Sequence, residues 1–122
     1  MSRSFRHLRL ALVLMLGVLA PRVALAHAFL DHAVPGVGAT VSGSPGELQL
    51  TFTQDIELAL SGVKLTTAAG AAVATGRPSG SGSTMSVRLG RALAPGTYIV
   101  HWHVVSVDTH PTSGTFKFTV AP

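Results

Sequence analysis

The chain of 122 residues contains no cysteine. This excludes a disulfide framework, a thiolate metal site and a cysteine nucleophile. It also lacks a long apolar run: Leu10 to Ala20 falls short of the ~20 residues that a spanning helix needs. No Arg-Arg pair occurs, which points to general export rather than a twin-arginine route. After residue 26 there is no helical periodicity and no internal repeat. No serine or threonine stands out beside a plausible base, which argues against hydrolysis.

The first 26 residues read as an export signal. Arg3, Arg6 and Arg9 form a positive start, Leu10 to Ala20 an apolar middle, and Pro21 to Ala26 a cleavage region ending in Ala24-Leu25-Ala26. The alternative is a short anchor that is never cut. Cleavage after Ala26 removes Arg3, Arg6, Arg9 and Arg22, four of the nine basic residues. The remainder, residues 27–122, carries five basic and five acidic residues and a formal charge of zero. The basic character therefore belongs to the targeting segment, and no basic face argues for nucleic acid. What remains is long enough for one small domain.

That domain reads as β throughout. Leu48, Leu50 and Phe52 alternate with polar residues, as do Met85, Val87 and Leu89. Tyr98, Val100, Trp102 and Val104 form a third period-2 set, and Phe116, Phe118 and Val120 a fourth. Val63 and Leu65 suggest one more strand. Pro35-Gly36, Pro45-Gly46, Ala69-Gly70 and Pro95-Gly96 punctuate these runs, and Gly76 to Ser83 reads as a flexible loop. Short strands at this spacing predict an antiparallel sandwich or Greek-key barrel of about seven strands.

Five histidines follow residue 26, and with few carboxylates and no thiol they dominate the coordination chemistry. Cleavage after Ala26 would give His27 a free α-amine. Amine and ring Nδ1 could then close a six-membered chelate on one metal ion. Asp108 and His110 form the other local element. On an extended segment, residues two apart point the same way with Cα atoms roughly 6.5–7 Å apart. Pro111 restricts His110 to extended backbone. If His27 lies beside this segment, its two nitrogens, the Asp108 carboxylate and His110 offer three nitrogens and an oxygen. That set suits tetragonal Cu(II), which heads the divalent affinity series. Cu(I) prefers sulfur, and Met85, the one methionine after residue 26, alternates as a core residue. Amine and imidazole ligands bind only when neutral, so affinity should fall as pH drops through about 8 and 6.5.

Three stretches, HAFLDHAVPGVGATV, LQLTFTQDIE and LAPGTYIVHWHVVSVDTHPTSGTFKFTV, resemble the CopC family of periplasmic copper-resistance proteins. The resemblance implies a Greek-key β-barrel similar to cupredoxins and immunoglobulin-like sandwiches. It also implies one Cu(II) ion held by His27, Asp108 and His110, no enzymatic activity, and a CopD-like inner-membrane copper transporter as partner. Some family members add a methionine-rich Cu(I) site; Ala68 to Ser83 has no methionine, so the chain resembles the Cu(II)-only branch. Gln54 stands where the family often has an acid, and is a candidate partner for a metal-bound imidazole.

The other histidines have blander readings. His101 and His103 alternate with Val100, Trp102 and Val104, which makes them exposed or hydrogen-bonded strand residues; a role near the metal is the alternative. Asp31 and His32 read as surface polar residues. Trp102 reads as core, and Tyr98 as a corner tyrosine. Two other functions compete with copper binding. One is an oxidative copper enzyme of the polysaccharide-monooxygenase kind, disfavoured by small size and by a carboxylate close to copper. The other is a structural sandwich without metal.

Overall fold

Alternation in the sequence becomes two faces in the structure, a computed structural model that describes residues 27–122. The expected export signal lies outside the described residues. Nine strands form there: β1 (Leu30–Val34), β2 (Thr40–Val41), β3 (Glu47–Phe52), β4 (Gly62–Thr67), β5 (Ala72–Val73), β6 (Ser79–Ser81), β7 (Thr84–Arg88), β8 (Gly96–Val105) and β9 (Pro111–Val120). A single 3-10 turn, Leu58–Leu60, is the one helical element among the described residues.

The strands make a four-stranded sheet in the order β1-β3-β7-β6 and a five-stranded sheet in the order β2-β9-β8-β4-β5. The chain changes sheet between β1 and β2, β2 and β3, β3 and β4, β5 and β6, and β7 and β8. These crossings are those of a Greek-key sandwich. Leu48, Leu50, Phe52, Met85 and Val87 come from one sheet. Tyr98, Val100, Trp102, Val104, Phe116, Phe118 and Val120 come from the other. All are buried, and burying each large side chain stabilises the fold by about 1.5–3 kcal/mol. With no disulfide, this apolar layer carries the stability.

Two expectations need revision. The strand count exceeds about seven because β2, β5 and β6 are only two or three residues long and too short to alternate. Gly76 to Ser83 is not all loop: Ser79, Gly80 and Ser81 pair with Ser86, Met85 and Thr84 as an edge hairpin. Small residues hid that strand. Gly80 takes φ 127°, and a Cβ there would collide with the Thr84 carbonyl, so the close approach itself requires glycine.

Two aromatic predictions hold. The Tyr98 hydroxyl donates to the Ala94 carbonyl at 2.6 Å, closing the corner. Trp102 is buried edge-on against Phe52, with ring centroids 5.2 Å apart. It also lies flat over Gly114, where a Cβ would come within 2.6 Å of the indole. β8 and β9 thus run as a long hairpin, Gly96 opposite Val120 and Val105 opposite Pro111. Its turn, at one end of the sandwich, carries Asp108 and His110.

Candidate metal centre

The turn between β8 and β9 is built around Ser106, which is 1% exposed. Its backbone N–H donates to the His110 carbonyl at 3.0 Å, and its carbonyl accepts from the Thr109 N–H at 2.8 Å. Its hydroxyl donates to Oδ1 of Asp108 and accepts from the His110 N–H at 3.2 Å. The Val107 N–H donates to the Asp55 carbonyl at 3.1 Å, tying the turn to the loop after β3.

This is not the extended segment that the Asp-x-His spacing predicts. Thr109 has φ 72°, in the left-handed region that a β-branched residue rarely occupies. The reversal folds Asp108 and His110 toward each other by another route. His110 Nδ1 stands 3.3 Å from Oδ2 of Asp108. The Ser106 hydroxyl, and then His110, hold the Asp108 carboxyl below its ordinary pKa.

His27 reaches the turn from the other end of the chain. Ala28 is fully buried and its carbonyl accepts from the Thr112 hydroxyl at 2.5 Å. The Thr53 N–H donates to the Phe29 carbonyl at 2.8 Å. The Thr53 hydroxyl accepts from the Phe29 N–H at 3.0 Å and donates to the His27 carbonyl at 3.4 Å. With this segment held by Thr53, just past β3, on one side and by Thr112 of β9 on the other, the His27 ring lies 4.8 Å from the His110 ring, nearly edge to face. Phe29 flanks it at 6.1 Å.

The structure therefore pairs His27 with His110, and His110 with Asp108. As placed they do not make a three-ligand cluster: among the described residues no group of three or more His, Cys, Asp or Glu is positioned to hold a metal ion. His110 instead contacts Asp108 directly. Around one small ion with ligand bonds of ~2 Å, adjacent donors stand roughly 3 Å apart, close to that contact. Both side chains are accessible, 54% for His110 and 38% for Asp108. The donors fit a borderline cation: two imidazoles and a carboxylate, with no sulfur to hand because Met85 is fully buried.

Most of the carboxylates collect toward this end. Asp31, Asp55, Glu57 and Asp108 are exposed at or near this end, while Glu47 lies at the other, opposite Arg88. Arg91 is at that far end too, beside Leu93 and Ser44. Four of the five carboxylates thus lie at or near the end that carries the three residues, with Arg77 against Leu58 and Ala59 as a cation close to Glu57.

The remaining histidines stand apart. His101 is half-buried and its Nε2 meets the Thr66 hydroxyl at 3.1 Å. His103 is exposed and lies over Gly62. His32 pairs with Asp31 at 2.8 Å on the surface. Gln54 is exposed, and among the described residues its side chain makes no hydrogen bond. The hydroxyl frame of Thr53, Ser106 and Thr112 emerges only in the folded chain. Ser106 keeps parity with Val104, and a buried polar residue ending an apolar strand was the available signal.

A cysteine-free Greek-key sandwich with an imidazole and carboxylate cluster at one end defines a class, the small all-β metal-binding domains. Residues 30–121 match the CopC domain, and the chain belongs to the CopC family. Over 123 residues it is 37% identical to Protein YobA of Escherichia coli strain K12, covering 98% of this chain and 99% of that one. It is 35% identical to copper resistance protein C of Xanthomonas campestris pv. juglandis, covering 96% and 98%. Copper transport protein CutJ of Bacillus subtilis is 26% identical over 89% of this chain, which spans only 21% of that protein. The crystal structure of CopC from Methylosinus trichosporium OB3b superposes with a TM-score of 0.74 at 31% identity, covering 79% of this chain and 95% of that one. The family's proteins bind copper and serve copper resistance, and they are not enzymes.

Proposed function

We propose that the chain is exported to the periplasm by its N-terminal signal, cut after Ala26, and then binds one Cu(II) ion. The ligands are the amine and ring of His27, the carboxylate of Asp108 and the ring of His110. The observation that carries this reading is the juxtaposition of the His27 and His110 rings at 4.8 Å, with Asp108 against His110. Family membership supplies copper. The oxidation state rests on the ligands, since nitrogen and oxygen donors favour Cu(II) and a sulfur-poor site disfavours Cu(I).

Bound copper is cargo here. The site is accessible at one end of the sandwich, so an ion can be taken up, buffered, or passed to a membrane copper transporter of the CopD kind. The match to about a fifth of a copper transport protein supports the last role, because there a similar domain is joined to a longer chain.

Mass spectrometry of the exported protein tests the first step, with a mass starting at His27 expected. Calorimetric titration with Cu(II) tests the second, with one tight site per chain expected. Absent or weak binding by the correctly processed protein would overturn the reading and leave a structural module.

A further inference from the structure

We propose that Ser106 is a positioning residue that presents Asp108 and His110 to the metal as a preset pair; this rests on the Cu(II) reading above. At 1% exposure the Ser106 hydroxyl is sealed from water. Its hydrogen-bonding capacity must be met inside the protein. It is met by the two ligand residues themselves. The hydroxyl donates to Oδ1 of Asp108 and accepts from the backbone N–H of His110 at 3.2 Å. One buried oxygen atom thus fixes the side chain of one ligand and the backbone of the other.

The consequence is geometric. With Oδ1 engaged by Ser106, Oδ2 is the oxygen that faces His110 Nδ1 at 3.3 Å. Asp108 therefore offers one oxygen, on the imidazole side. Asp108 lies on an exposed turn. Without the hydroxyl its side chain would sample several rotamers in water, and metal binding would have to order it. The backbone bonds of the turn, Ser106 N–H to His110 and Thr109 N–H to Ser106, do not touch the carboxylate. Of the groups that hold the carboxylate, the Ser106 hydroxyl is the largest influence and the one that also bonds the backbone of His110. Partners of metal ligands tune affinity in this way, and losing one costs ~10–100-fold.

The test uses exported, cell-processed protein and Cu(II) as the probe, read by calorimetry and electron paramagnetic resonance. Wild type against Asp108→Ala comes first. If the Cu(II) spectrum and affinity do not change, the copper site itself is misassigned and Ser106 has nothing to position. Given that change, Ser106→Ala should bind Cu(II) ~10–100-fold more weakly, with its spectrum shifted toward that of Asp108→Ala. Ser106→Thr, which keeps the hydroxyl, should recover most of the affinity. In the Asp108→Ala background, losing the hydroxyl should cost only about two- to threefold more. Should Ser106→Ala fail to fold, Ser106→Gly removes the same hydroxyl. A lower melting temperature with wild-type affinity and spectrum would mean a purely structural serine and would overturn the proposal.

Discussion

His110 Nδ1 stands 3.3 Å from Oδ2 of Asp108, and the two residues meet because the chain reverses at Thr109 rather than running straight. The Ser106 hydroxyl bond to Oδ1, and after it this contact, lower the Asp108 pKa. A carboxylate whose folded pKa lies below its unfolded value stabilises the fold at pH above the ordinary aspartate pKa of about 3.9. That contribution fades as pH falls below it and through the folded pKa. In a carbon-detected NMR titration of copper-free protein, the Asp108 midpoint should lie below the ordinary value. Ser106→Ala should move it upward, because the hydroxyl bond is the largest cause. An unmoved midpoint would assign the shift to His110 instead.

Thr109 holds φ 72° with a β-branched side chain. A left-handed residue other than glycine costs about 1–2 kcal/mol. Thr109→Gly removes that cost and returns part of it as unfolded-state entropy. The expected net gain is about 0.5–1 kcal/mol, read as a melting point several degrees higher for a domain of this size. Copper affinity should stay near wild type, since Asp108 and His110 keep their bonds to Ser106.

The Thr112 hydroxyl donates to the Ala28 carbonyl, joining β9 to the first described residues across 84 positions. Thr112→Val should cost about 1 kcal/mol in denaturant unfolding. It should also weaken Cu(II) binding several-fold, because His27 loses one of its two anchors. Asp108→Ala in the same background tests whether both losses fall on a single site.

One residue placed before His27, such as an added methionine, converts its amine into a peptide nitrogen. Cu(II) affinity should fall far more than in His32→Ala or His103→Ala, whose imidazoles lie away from the turn. Calorimetry on the three proteins checks this. Equal affinities would remove the terminal amine from the ligand set.

The exposed carboxylates near the β8–β9 turn should speed copper capture. Asp55→Asn with Glu57→Gln removes two exposed carboxylates near the turn that are outside the proposed ligands. Stopped-flow quenching of Trp102 should show slower Cu(II) association at low salt and a smaller difference at high salt, where charges are screened.

Period-2 alternation determined which faces of β3, β7, β8 and β9 are buried, because a strand turns successive side chains to opposite sides. Leu50, Met85, Val100 and Phe118 were legible as core on that ground, and His101 and His103 as outward residues. The sequence also supplied the candidate donors: histidine and aspartate present, cysteine absent. It could not show β6, where glycine and serine carry no pattern. It misread the path from Asp108 to His110, because a threonine in the left-handed region contradicts local propensity. Tertiary structure decided that path, since Ser106 is buried at the end of β8 and its hydrogen bonds hold the reversal against the cost at Thr109. It also decided that His27 meets His110. Residues so far apart in sequence become neighbours only because the hydroxyls of Thr53 and Thr112 hold the start of the domain between β3 and β9.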